Sequence, residues 1–176
     1  MEQKLRSKLA PRFQSFELHG NTALTVTYIA RDITTDTLYL IKSPRTAAID
    51  SQQIMARYEE IHEILSQIHH PNIEPVNEIQ NHTENLFLIS RHQAGTSLTD
   101  QIQSGLTLKD ALNIIIQAAH GLNAAHNSNI VHGSMELNSI AGIPNGEIVV
   151  SDFGEYVLAK SIPSHIRNIQ KLSYVN

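Results

Sequence analysis

The sequence predicts an α+β fold, with a sheet in the first half of the chain and helices in the second. Three observations carry this. Thr25-Val26-Thr27-Tyr28-Ile29 and Thr37-Leu38-Tyr39-Leu40-Ile41 are β-branched and aromatic runs separated by the polar, turn-like Arg31–Asp36, the pattern of a hairpin. Ile54, Tyr58, Ile61, Leu65 and Ile68 recur at spacings of three and four, which puts them on one face of a helix. Residues 108–127 carry apolar side chains around most of a helical circumference, so that helix expects burial on more than one side.

In order along the chain, residues 13–42 read as strands. Asp50 and Ser51 are candidate N-caps for the amphipathic helix, which runs to about Ile68 and is ended by Pro71. Ile73–Ile79 and Asn85–Ser90 read as two further strands, with Asn81-His82-Thr83-Glu84 as their turn. Gly95-Thr96-Ser97-Leu98 opens a short helix to about Gln103, and Thr107 can cap the long helix Leu108–Asn127. Asn138–Ile143 and Glu147–Ser151 read as short strands around the turn Pro144-Asn145-Gly146.

Composition narrows the function. The 176 residues suit one domain with a real core, and a hydrophobic fraction of 41% argues for a globular chain. The formal net charge of −4 speaks against a general nucleic-acid or membrane-surface binder, so neither is expected as a partner. The chain has no cysteine, which excludes disulfides, thiolate catalysis and cysteine-based zinc sites. No apolar run spans a bilayer, and Met1-Glu2-Gln3-Lys4 lacks the apolar stretch of a signal peptide, so a cytoplasmic location is the expectation. Ten histidines are scattered. His62 with His69 or His70, and His120 with His126, lack the i, i+4 spacing that puts two imidazoles on one helix face.

Several words in this order resemble the protein kinase family over nearly the whole chain. Ile130-Val131-His132-Gly133-Ser134-Met135-Glu136-Leu137-Asn138-Ser139-Ile140 resembles the catalytic loop, and Val150-Ser151-Asp152-Phe153-Gly154 the segment bearing the DFG motif. Ala30-Arg31-Asp32 followed by Tyr39-Leu40-Ile41-Lys42 resembles the second strand and the lysine-bearing third strand. His70-Pro71-Asn72-Ile73 resembles the link after the family's helix C, and Leu88-Ile89-Ser90 through Leu98 the hinge. The resemblance implies a single kinase-like domain: a five-stranded antiparallel N-lobe sheet with helix C over residues 1–90, and a truncated helical C-lobe over residues 91–176 that ends before helix F. The type it suggests is a bacterial Ser/Thr kinase-like domain.

Residue by residue, the resemblance implies damaged chemistry. Phosphoryl transfer needs a phosphate cradle, a lysine on the phosphates, metal ligands and a group that orients the attacking hydroxyl. The cradle glycines fall at Gly20, Thr22 and Thr25, and only Gly20 matches. Lys42 matches the phosphate-pairing lysine. Ile61 falls where its glutamate partner is expected, with Glu59, Glu60 and Glu63 nearby, so Lys42 pairs either with a helix glutamate or with Asp152. Asp152 matches the Mg²⁺-binding aspartate. Phe153 is expected to pack under the helix near Leu65 and His132. Ser134 stands in place of the catalytic aspartate, and a serine hydroxyl is a poor base at neutral pH. Gly133 replaces an arginine, Glu136 a lysine, and Ser139 an asparagine, although Asn138 lies beside it. Leu40 stands where an alanine covers the adenine ring and is expected to fill the base's space, beside a small gatekeeper, Ser90, and with Ala141 below. No catalytic residue is therefore assigned. Lys42, Asp152 and Gly20 are the candidate nucleotide contacts, and ATP with Mg²⁺ is the cofactor the resemblance would supply if the cleft takes one.

The expected function is a pseudokinase that acts by protein binding, as scaffold or allosteric regulator. The alternatives are a nucleotide sensor and a residual Ser/Thr kinase using Lys42 and Asp152. The second apolar face of helix 108–127, with helix F missing, is expected to meet a protein partner or a second copy. Tyr156, Val157, Leu158, Ile162, Ile166, Ile169 and Leu172 are expected to fold back over part of it.

Overall fold

The computed structural model describes residues 7–9, 11–45, 52–82 and 85–160. Five strands form one antiparallel sheet: β1 (Phe13–Asn21), β2 (Thr25–Asp32), β3 (Leu38–Pro44), β4 (Glu78–His82) and β5 (Asn85–Arg91), in the order β1-β2-β3-β5-β4. The β2–β3 turn is held by Asp32, whose Oδ1 accepts from the Thr34 and Thr35 amides at 2.9 and 3.1 Å. Arg12 Nε donates to the same carboxylate at 2.8 Å, and together these bonds depress its pKa to about 2. Helix α1 (Gln52–Ser66) crosses the sheet and buries Tyr58, Ile61, His62 and Leu65. Its proposed caps, Asp50 and Ser51, lie outside the described residues.

The fourth strand begins later than the sequence pattern suggests. Residues 73–76 are not paired in the sheet, where Pro75 has no amide hydrogen to give a ladder, and the first bond to β5 is from the Asn77 amide to Ile89 O at 2.9 Å. Instead Ile73 forms an isolated parallel bridge to Val150: the Val150 amide donates to Asn72 O at 3.0 Å, and the Glu74 amide to Val150 O at 2.9 Å. Asn81 and His82, read as turn, are the end of β4; Thr83 and Glu84 lie outside the described residues.

The second half holds a three-stranded sheet, β6 (Thr96–Ser97), β7 (Ile140–Gly142) and β8 (Ile148–Val150), with helices α2 (Leu98–Ser104), α3 (Leu108–Asn127) and α4 (Glu155–Ala159). Thr107 caps α3 as expected, its Oγ1 accepting from the Asp110 amide at 3.1 Å. Asn72 joins the two halves. Its Nδ2 donates to Ile148 O at 2.7 Å and to Gln117 Oε1 at 3.1 Å. Gly121 of α3 lies so near that a Cβ there would stand 2.3 Å from the Asn72 carbonyl oxygen. Ile61, Leu65, Ile73, Ala118, Ala125, Ile130, Val150 and Phe153 then form one core cluster spanning both halves. Among the described residues no helix is long and apolar enough to cross a membrane.

The face of α3 away from this core is exposed and apolar. Leu108, Leu112, Ile115 and Ile116 are 77, 51, 63 and 54% exposed. Of the residues expected to fold back, Val157 and Leu158 are buried in α4. Leu158 packs with Tyr58, Leu86 and Leu88, on the α1 side rather than over the exposed face of α3. Ile162, Ile166, Ile169 and Leu172 lie outside the described residues.

Candidate functional site

The cleft between the halves collects the candidate residues. Lys42 projects from β3 and Asp152 from the loop after β8, and the lysine ammonium pairs directly with Asp152 Oδ1. Of the two partners the sequence left open, this is the aspartate. Helix α1 offers Lys42 no carboxylate, because Ile61 faces the core, Glu60 pairs with Arg57 at 2.6 Å, and Glu59 accepts from Asn81. Asp152 adopts a left-handed backbone (φ 63°), uncommon for a residue with a side chain, so its placement has a conformational cost that the pair to Lys42 offsets.

Two acids that sequence reasoning passed over complete the cluster. Glu155, in the first turn of α4, lies 3.7 Å from the Lys42 ammonium and accepts from Thr25 Oγ1 at 3.2 Å. Burial pushes its pKa up to about 7, against the pull of Lys42. Glu74 lines the cleft, and burial raises its pKa as well. Desolvation works against the Lys42 charge, but the fields of Asp152, Glu74 and Glu155 outweigh it, and its pKa rises. The lysine is firmly charged, with Asp152 bonded to it and Glu155 beside it.

The loop that corresponds to the catalytic loop is built around His132. Its Nε2–H donates to Ser151 O at 2.7 Å, and its Nδ1 accepts from the Ser134 amide at 3.4 Å. Burial lowers its pKa, which suits this neutral tautomer. Its ring stacks at a tilt on Phe153, 4.7 Å between centroids, and Phe153 joins the cluster containing Leu65, as the sequence predicts. Gly133 has φ +75°, and a Cβ there would sit 2.6 Å from the Tyr156 ring. The place of the family's arginine is thus taken by an aromatic ring from α4. Ser134 and Glu136 are exposed; Ser139 is buried beneath the loop; Asn138 accepts from Thr99 Oγ1 at 2.9 Å.

The β1–β2 turn is closed on itself. Thr22 Oγ1 accepts from the Leu24 and Thr25 amides at 3.2 and 2.9 Å, and the Thr22 amide donates to Thr25 O at 3.0 Å. Amides that could face a phosphate are spent within the turn. Gly20 sits in β1 opposite Thr27, and a Cβ there would make only ordinary contact, so nothing in its surroundings demands glycine.

Leu40 stands between two parts of the cleft. It lines both a front cavity of about 310 Å³ and a rear one of about 40 Å³. At the hinge, the Arg91 amide donates to Asn77 Oδ1 at 2.6 Å and the His92 amide to Leu38 O at 2.9 Å. Among the described residues no group of three or more histidine or acidic side chains is arranged to hold a metal ion.

A five-stranded sheet with one crossing helix, hinged to a helical half with a lysine–aspartate pair between them, defines a protein-kinase-like domain. The protein kinase domain family matches residues 13–172, and the chain belongs to that family. It is 26% identical over 149 residues to the serine/threonine-protein kinase PrkC of Bacillus subtilis, covering 84% of this chain and 23% of that protein. It is 25% identical over 155 residues to human cyclin-dependent kinase 10, covering 85% of this chain and 42% of that one. The kinase domain of PknI from Mycobacterium tuberculosis superposes with a TM-score of 0.66 at 18% identity, over 81% of this chain and 59% of that one. The chain thus spans less than half the length of these two curated relatives.

Lys42 and Asp152 were found from sequence and are brought together; Gly20 lies in β1 opposite Thr27. Glu155, Glu74 and Tyr156 were missed as site residues. Glu74 did carry a signal, an acid inside the apolar run Ile73–Val76. For Glu155 and Tyr156 the signal was only their place directly after Gly154.

Proposed function

We propose that this chain is a kinase-fold binding module that does not transfer phosphate and that engages another polypeptide through the exposed face of α3. The observation that carries the reading is the state of the catalytic loop. Ser134 supplies no carboxylate to accept a proton, and the ring of Tyr156 occupies the neighbouring position over Gly133.

Three further features support it. Lys42, at the phosphate position, is held by Asp152 with Glu155 close by, so a Mg²⁺–ATP complex would have to displace both. The β1–β2 turn directs its amides at Thr22 rather than into the cleft. Position 139 offers a buried serine where a second metal ligand is needed. The residues present therefore fit Mg²⁺–ATP poorly, and no reaction step is derived through it.

For the binding role, Leu108, Leu112, Ile115 and Ile116 recur at three- and four-residue spacing, the arrangement that packs against a facing helix. The relatives are named as kinases, and the contact between Lys42 and Asp152 favours residual phosphotransfer as the second reading; the open cleft favours a nucleotide sensor. Thermal unfolding with and without ATP and Mg²⁺ separates them. The proposal expects no shift. A saturable Mg²⁺-dependent shift without phosphate transfer selects the sensor, and a shift with transfer selects the kinase.

A further inference from the structure

We infer that His19 and His92 together hold a divalent transition-metal ion of the zinc class at the mouth of the front cavity, tying β1 to the chain that leaves β5. The inference does not depend on whether the cleft takes a nucleotide. The two imidazoles come from distant segments and stand 5.9 Å apart between ring centroids, with their planes at 66°. Each is placed by its backbone. Leu18 lies opposite Tyr28 and Gly20 opposite Thr27, so His19 is the extra residue of a bulge in the edge strand β1, a device that re-aims a side chain. The His92 amide donates to Leu38 O at 2.9 Å, which fixes the chain just past the end of β5. Both side chains line the front cavity of about 310 Å³.

The chemistry of the pair suits a metal. His92 Nδ1 is shielded from water and has no hydrogen-bond partner, and among the described residues the His19 ring makes no hydrogen bond either. A shielded ring nitrogen without a partner is costly, and a ligand that engages it removes that cost. Burial, and after it the nearness of His19, lower the His92 pKa, so at neutral pH its ring is uncharged and has a lone pair to give. Two imidazoles on one tetrahedral ion, with metal–nitrogen bonds of about 2.0–2.1 Å, have ring centroids about 5–6 Å apart. The observed spacing lies in that range, and His19 is exposed and free to turn its ring toward the ion. Imidazole nitrogen selects Zn²⁺, Ni²⁺ or Cu²⁺ over Mg²⁺, which prefers oxygen. Arg91 and Asp100 line the same cavity with opposite charges, so the mouth as a whole does not repel a cation. Two protein nitrogens leave the other coordination positions to solvent, which suits an exchangeable ion rather than a closed structural site.

The experiment is calorimetric titration of the full chain with ZnCl₂ and, separately, with MgCl₂, in a non-chelating buffer at neutral pH. Saturable Zn²⁺ binding is expected, with no Mg²⁺ binding at the same concentrations. His19→Gln and His92→Gln should each weaken Zn²⁺ binding about tenfold or more, while His120→Gln combined with His126→Gln on α3 leaves it unchanged. Thermal unfolding without metal checks that the variants fold. In the unmodified chain, Zn²⁺ should displace the imidazole ring signals of His19 and His92 in the NMR spectrum and not those of His120 and His126, a readout that needs no variant. No saturable Zn²⁺ binding, equal binding of Mg²⁺, ring signals displaced only at other histidines, or an affinity that survives either single substitution overturns the inference. None of these outcomes bears on phosphate transfer, so the proposed function stands or falls separately.

Discussion

Gly133→Ala tests whether α4 is seated on the catalytic loop. The glycine has φ +75°, where an L-residue costs about 1–2 kcal/mol. The added methyl would lie 2.6 Å from the Tyr156 ring, and overpacking of this kind adds about 1–3 kcal/mol. The variant should therefore lose about 2–5 kcal/mol in urea unfolding, with the midpoint lowered and the slope unchanged. The two parts can be separated. Tyr156→Ala removes the ring but not the backbone strain, so in that background Gly133→Ala should cost only the conformational part. The double-mutant cycle should give a coupling of about 1–3 kcal/mol. A coupling near zero, with the single variant near wild-type stability, would mean that the ring does not stand over Gly133 and that α4 does not block this loop.

The buried acids make stability depend on pH. Glu155 has a folded pKa raised from 4.5 to about 7, so its contribution is complete below about pH 4.5 and is lost as pH rises through about 7. The loss is on the order of 3 kcal/mol. Glu155→Gln should flatten that part of the curve, and an unchanged pH profile would refute the assignment. His62, whose burial holds its pKa down at about 4, acts oppositely, since its contribution is complete above about pH 6.5 and is lost as pH falls through about 4. It is common to both proteins and cancels in the difference. Lys42→Met should destabilise by about 3–5 kcal/mol at pH 8 by leaving Asp152, Glu155 and Glu74 without their cation, and by less at pH 5; equal stability in chemical denaturation at both pH values would count against the cluster. For the α3 face, full burial of one such side chain is worth about 1.5–3 kcal/mol. Replacing Leu112 and Ile115 with glutamate should abolish self-association or partner capture in sedimentation without altering thermal stability. A wild-type chain that stays strictly monomeric and a pull-down unaffected by the two substitutions would remove the surface from consideration.

Much of the fold was legible because local pattern and tertiary role agree. The β-branched runs became β2 and β3, and the helix Leu108–Asn127 with its Thr107 cap formed as read. The fourth strand was misplaced because Ile73 is buried for a different reason: it is bridged across the cleft to Val150, not paired in the sheet. Periodicity registers burial but not which surface does the burying. The site was legible where a residue type is tied to a motif, as for Lys42, Asp152 and Ser134. It was not legible where the decisive fact is a meeting of distant segments. Glu155 reaches Lys42 across 113 positions of sequence, and the contact of Tyr156 with Gly133 depends on how α4 turns back after Gly154. Leu40 shows the converse. Its size was readable, but that it would line both a front and a rear cavity was not.

The most direct test of the account is transfer of labelled phosphate from ATP with Mg²⁺, to the chain itself and to a general protein substrate, run beside Asp152→Ala. The account predicts that the chain gives no more label than the Asp152→Ala control. Labelling that is saturable in ATP and is lost in Asp152→Ala would contradict it, and would show that Lys42 and Asp152 part from one another to hold the nucleotide.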